Sequence, residues 1–76
     1  MNNEILEILN ELKPKEDFSA GGSFIEEGLL DSFDIISLIN ILEEKYRIIV
    51  DGLDIVPENF ENVEAIINLV NKSQKV

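Results

Sequence analysis

Apolar residues recur at helical spacing in three parts of the chain. The first part, residues 3–12, has glutamates on one side and an apolar stripe on the other. This spacing predicts an amphipathic helix, and Pro14 ends it because proline disfavours helical backbone in the residue before it. The stripe consists of Ile5, Ile8, Leu9 and Leu12.

A second helix is predicted from Phe33 to Tyr46, a run that contains no glycine or proline. Asp31 and Ser32 supply N-cap chemistry in front of it, and Asp34 places a carboxylate in its first turn, where the helix dipole favours negative charge. A helical wheel gives this helix one core-facing arc, made of Ile35, Leu38, Ile39, Leu42 and Tyr46.

The last helix is predicted from Val63 to about Lys72, with Asn62 as its N-cap. Its apolar stripe consists of Val63, Ile66, Ile67 and Val70. Two lysines, Lys72 and Lys75, lie at the negative end of its dipole.

The segments between these helices are less regular. Residues 13–30 are predicted to form a long ordered loop, because their Phe and Leu side chains are too apolar to remain in water. Arg47 to Val50 suggests a short extended piece, and Leu53 to Phe60, interrupted by Pro57, suggests at most a short helix. The predicted fold is therefore all-α: a small four-helix bundle of three longer helices and one short helix, with a long loop between the first two, in a single domain over residues 1–76.

Composition narrows the possible functions. The 76 residues include no cysteine and no histidine, and 16 acidic residues against 6 basic ones give a net charge of -10. A self-sufficient enzyme is not expected, because nucleophile–base pairs and most metal sites need those absent side chains; no catalytic residue and no metal site are predicted. The acidity argues against nucleic acid as a partner. No apolar run is long enough to span a bilayer and no basic leader is present, so membrane insertion is not expected. We expect a monomeric protein in the cytoplasm.

Two large apolar residues of the second helix fall outside its core-facing arc. Phe33 and Ile36 share a face with polar and acidic side chains, an arrangement typical of a partner-docking surface. An equally simple interpretation is that Phe33 packs under the long loop or against another helix. The remaining members of this face are Ser37, Asn40, Glu43 and Glu44.

Ser32 also has two interpretations. It is an ordinary N-cap, or it is a modification site, since the N–H groups and positive dipole at a helix N-terminus favour an attached phosphate. In the second case another protein has to supply the catalytic base. Asp31 and Asp34 would oppose a bare phosphate, but they could bind the divalent cation that phosphoryl transfer usually employs.

The run from Gly28 to Tyr46, GLLDSFDIISLINILEEKY, resembles the central segment of acyl carrier and peptidyl carrier proteins. Its Asp-Ser pair is followed by an apolar residue, an amphipathic helix and a Leu-Glu-Glu close. The stretch from Asp54 to Ile66 is similar to the third helix and the start of the fourth helix of the same family. With the first helix, the resemblance extends over nearly the whole chain.

The resemblance implies that Ser32 carries a 4′-phosphopantetheine arm, transferred from coenzyme A by a phosphopantetheinyl transferase, with Asp31 helping to position magnesium in that complex. An acyl- or aminoacyl-activating ligase or synthase would load the arm as a thioester, and a downstream acyltransferase would accept the cargo. The face read by these enzymes would comprise Phe33, Asp34, Ile36, Ser37, Asn40, Glu43 and Glu44.

Some positions depart from the commonest carrier pattern. Phe33 is bulkier than the Leu or Met often found after the serine. Fatty-acid carriers usually have an acidic residue at the position of Ser37 and often a Met or similar residue at that of Asn40. The Gly-Leu-Leu-Asp-Ser lead looks closer to free-standing aminoacyl carriers of the D-alanyl type, or to carriers paired with an acyl-AMP ligase. The alternative function is a non-carrier acidic helical adaptor that binds a basic partner through Phe33 and Ile36.

Overall fold

Three α-helices and one small sheet make up the computed structural model, which describes residues 2–19 and 21–76. The helices are α1 (Asn2–Leu12), α2 (Ser32–Tyr46) and α3 (Val63–Lys72). The strands are β1 (Ile48–Ile49) and β2 (Gln74–Lys75), and two short 3₁₀ helices lie at Gly52–Asp54 and Pro57–Phe60. The three predicted longer helices are thus confirmed, each to within one residue of its predicted start.

The predicted four-helix bundle is wrong, because the segment between α2 and α3 does not form a fourth α-helix. It contains two separate 3₁₀ turns instead. Pro57 lacks an N–H donor and restricts the residue before it, and Val56 is accordingly extended, with φ -131° and ψ 152°. The first turn is capped by Asp51, whose carboxylate accepts a 2.9 Å hydrogen bond from the Leu53 N–H.

The predicted all-α class is also wrong, because the chain forms a two-stranded sheet. Arg47 ends α2 in the left-handed conformation, with φ 56°, and turns the chain into β1. β1 then pairs antiparallel with β2, placing Ile48 opposite Lys75 and Ile49 opposite Gln74. The predicted extended piece after α2 is confirmed, but its partner strand was not predicted.

A single apolar cluster joins the helices, the loop and the 3₁₀ turns. The predicted core face of α2 is confirmed, with three residues buried and Ile35 and Tyr46 half-buried against the cluster. At the end of α2, the Tyr46 hydroxyl donates a 2.7 Å hydrogen bond to Glu4 of α1. Fully buried members of the cluster, with 0% exposure, are Ile5, Leu9, Leu38, Leu42, Phe60, Ile66 and Leu69.

The long connection between α1 and α2 is ordered by its apolar side chains, as predicted, although Ala20 lies outside the described residues. Phe18 and Phe24 are buried and meet edge to face, with ring centroids 5.1 Å apart. The Phe24 N–H donates to the Glu61 carbonyl at 2.8 Å, which ties the loop to the end of the second 3₁₀ helix. Gly28, with φ 76°, then allows the turn that brings the chain to α2.

Within the described residues, none of the helices has both the length and the apolar character needed to cross a membrane.

Phe60 and Phe33 provide a matched test of this core. Phe60 is 0% exposed and Phe33 is 75% exposed. We expect Phe60→Ala to lower the free energy of unfolding by about 3–4 kcal/mol and Phe33→Ala to change it by less than about 0.5 kcal/mol. Urea denaturation followed by circular dichroism measures both values, and equal effects of the two substitutions would contradict the core described here.

Candidate functional site

The first turn of α2 is held by reciprocal hydrogen bonds between Asp31 and Asp34. The Asp34 N–H donates to Asp31 Oδ1 at 2.9 Å, and the Asp31 N–H donates to Asp34 Oδ2 at 3.1 Å, which together form a capping box. Asp31 is therefore the N-cap and Ser32 is the first helical residue. The interpretation of Ser32 as the cap is wrong, because a carboxylate one residue earlier already fills that role.

Ser32 is exposed at this helix start. Within the described residues, its hydroxyl makes no hydrogen bond, and the N–H groups of Ser32 and Phe33 have no partner either. The positive end of the helix dipole and two free donors thus surround an accessible hydroxyl. This environment favours a phosphate ester at Ser32.

Asp34 points away from solvent, which distinguishes it from its capping partner. It is 8% exposed, and its Oδ2 lies 3.0 Å from the Lys13 ammonium. Burial acts to raise the pKa of the Asp34 carboxyl, but the hydrogen bonds from Lys13 and from the Asp31 N–H outweigh it, so the pKa is lowered from its ordinary value. The same pairing raises the pKa of Lys13.

The two apolar residues of the predicted docking face are exposed on α2. Phe33 is 75% exposed and Ile36 is 57% exposed, so Phe33 does not pack under the loop. Asn40 and Glu44 are exposed on the same helix, and Ser37 is half-buried.

Two acidic members of the predicted face have partners inside the protein. Asp34 is bonded to Lys13, as described above. Glu43 is half-buried and accepts a 3.0 Å hydrogen bond from the Val50 N–H, which fixes the chain after β1. The structure therefore leaves Glu44 more open to a partner than Asp34 or Glu43.

An apolar cleft of about 230 Å³ opens next to Ser32, between α2 and the second 3₁₀ helix. Ile35 and Ile36 form its wall on α2, and Phe60 is the fully buried member of its lining. The cleft gives an attached group an apolar surface at the place where it would leave the serine. Its lining consists of Ser32, Ile35, Ile36, Ile55, Val56, Pro57 and Phe60.

Lys13 and the cleft residues after α2 were not predicted as parts of this site. Lys13 lies 21 positions before Asp34, so no local pattern relates the two. Ile55 and Val56 gave a weak signal, since they are apolar residues beside a proline that excludes a continuous helix. Among residues 2–19 and 21–76, no group of three or more acidic side chains is placed to hold a metal ion.

The Lys13–Asp34 pair makes a pH-dependent contribution to stability. The pKa of folded Asp34 is below its ordinary 3.8, so its carboxylate stabilises the fold above pH 3.8, and this contribution is lost as pH falls through the lowered pKa. We expect Asp34→Asn to be less stable than the wild type at pH 7, with the difference shrinking below pH 3.8. Urea titrations at a series of pH values measure it, and a difference that stays constant down to pH 2 would contradict the pairing.

Comparisons with protein-family models, with curated proteins and with solved structures found no match to this chain.

Proposed function

We propose that this protein is an acyl or aminoacyl carrier whose 4′-phosphopantetheine arm is attached to Ser32. The observation that carries the proposal is the exposed Ser32 hydroxyl at the first position of α2, next to an apolar cleft. Among the residues that the structure describes, neither this hydroxyl nor the first two N–H groups of the helix has a hydrogen-bond partner. A hydroxyl in this position is open to an incoming enzyme, while its backbone is held by the capping box.

Attachment of the arm is a phosphoryl transfer that another enzyme has to catalyse. Ser32 Oγ forms a new bond to the phosphorus next to the pantetheine of coenzyme A, the pyrophosphate P–O bond breaks, and adenosine 3′,5′-bisphosphate leaves. The serine proton passes to a base on the transferase, since this chain has no histidine to accept it. The exposed Asp31 carboxylate accepts one hydrogen bond within the described residues, through Oδ1, and Asp31 would help to position the magnesium ion of that complex.

The residues around Ser32 fit the arm. The free N–H groups of Ser32 and Phe33 favour its phosphate, and the cleft lined by Val56 and Pro57 accepts apolar atoms beyond it. When bound, the group supplies the thiol that holds the cargo as a thioester, which a chain without cysteine does not contain.

The partners implied are a phosphopantetheinyl transferase, a ligase or synthase that loads the cargo, and a downstream acyltransferase. Phe33 and Ile36 offer them apolar contacts beside Ser32. Asp31, next to Ser32, and Glu44, further along α2, are exposed acids, and they would attract basic surfaces and orient the encounter. The proposed function places the protein in the cytoplasm, where coenzyme A would donate the arm.

Modification is tested with the purified protein, coenzyme A, magnesium and a promiscuous phosphopantetheinyl transferase. Intact-mass spectrometry is expected to show the addition of one phosphopantetheine to the wild type and none to Ser32→Ala. Ser19→Ala, at an exposed serine outside the predicted docking face, is the matched control and should be modified normally. An unmodified wild type, in a reaction that modifies a reference carrier, would overturn the proposal.

The docking face is tested with Ile36→Ala and Ile49→Ala, which truncate isoleucines that are 57% and 52% exposed. We expect Ile36→Ala to lower kcat/KM for the transferase by about five- to tenfold, as for a truncated interface contact, and Ile49→Ala, on β1, to leave it within about twofold. Equal values for the two variants would contradict the assignment of this face.

The same exposed residues also suit the adaptor function, in which Phe33 and Ile36 bind a basic partner and Ser32 has no role. The two functions differ in their dependence on the serine. A partner captured equally well by the wild type and by Ser32→Ala, together with no modification of the wild type, favours the adaptor.

A further inference from the structure

Lys13 is the one basic side chain in the described structure that reaches the first turn of α2. It follows the last residue of α1, and its ammonium lies 3.0 Å from Asp34 Oδ2. Its side chain is 30% exposed and that of Asp34 is 12% exposed, so the pair lies at the edge of the core rather than on the outer surface.

One oxygen atom joins this pair to the capping box. Asp34 Oδ2 accepts hydrogen bonds both from the Lys13 ammonium and from the Asp31 N–H, the latter at 3.1 Å. The position of Lys13 is thereby coupled to the backbone that carries Asp31 and, next to it, Ser32. A substitution at Lys13 therefore alters the charge around this oxygen and the cap that depends on it.

The pair also changes the net charge near Ser32. Ser32 lies between two aspartates in sequence and in the first turn, and both carboxylates repel an incoming phosphate. The negative charge of Asp34 is compensated by the Lys13 ammonium, whereas the Asp31 carboxylate is exposed and has no ion pair within the described residues. The charged groups that act on Lys13 are Asp34, Asp31 and Glu16, whereas Asp34 is influenced by the charge of Lys13 and by hydrogen bonds with Lys13 and Asp31.

We propose that Lys13 is a positioning residue for the modification of Ser32: it neutralises Asp34 in the same helical turn and holds the cap, so that Asp31 is the one uncompensated carboxylate next to the serine. This inference rests on the proposed function. Lys13 does not touch the reacting atoms and acts through Asp34. Removal of its charge leaves a second uncompensated carboxylate in the turn that carries Ser32.

Five variants test the inference in the transferase reaction: three single substitutions of lysines, Asp34→Asn, and a double variant. Lys13→Gln is expected to lower kcat/KM by about three- to tenfold, the size of one unscreened charge close to the phosphate. Lys15→Gln is the matched control. Lys15 lies two residues after Lys13, and its side chain has no ion pair within the described residues. The kcat/KM of this variant should stay within about twofold of the wild-type value. Lys13→Arg keeps the charge and should retain most of the rate.

The decisive variant is the double substitution Lys13→Gln with Asp34→Asn. The amide that replaces the carboxylate still offers an oxygen to the Asp31 N–H but carries no charge, so kcat/KM should recover to within about twofold of Asp34→Asn alone. Urea denaturation of every variant reports stability separately. Recovery of the rate without recovery of stability distinguishes charge compensation from a purely structural role.

Two results overturn the inference while the proposed function stands: a wild-type rate for Lys13→Gln, or a loss in Lys13→Gln that persists in the double variant. Absence of transfer to the wild type overturns the proposed function, and the inference falls with it.

Discussion

The reciprocal bonding of Asp31 and Asp34 determines how α2 begins and therefore how Ser32 is presented. Without this capping box, the first turn would lose the two hydrogen bonds that define its start. The box places Asp31 outward and Asp34 inward, and Lys13 keeps the inward charge from being buried unpaired. The fold and the site thus share these three side chains.

The negative charge of the chain is concentrated in the segment that contains this capping box. Eleven of the 16 acidic residues, but two of the 6 basic ones, fall within residues 26–64, the segment that contains α2 and both 3₁₀ turns. Under the proposed function, this acidity guides basic enzymes to the serine, and the apolar pair Phe33 and Ile36 gives them a contact at close range. The absence of cysteine and histidine is then consistent with a protein whose reactive thiol belongs to its cofactor.

Sequence periodicity predicted those parts of the fold that are local. The core face of α2 and the bounds of α3 follow from repeats of three and four residues, and the structure confirms both. The β1–β2 sheet could not be found this way, because a two-residue strand has no period and its partner strand lies beyond both 3₁₀ turns and the whole of α3. The ion pair of Lys13 with Asp34 was missed for the same reason: it joins residues that only the packed loop brings together.

The central claim is that Ser32, among the five serines of the chain, carries the arm. Fragmentation mass spectrometry of the protein expressed with its neighbouring genes tests it most directly, because it locates an added group on one residue and retains its cargo. The account predicts a single phosphopantetheine on Ser32, with a thioester-linked acyl or aminoacyl group at its end. Modification of Ser19, Ser23, Ser37 or Ser73 instead, or an unmodified chain in cells with an active transferase, would contradict it.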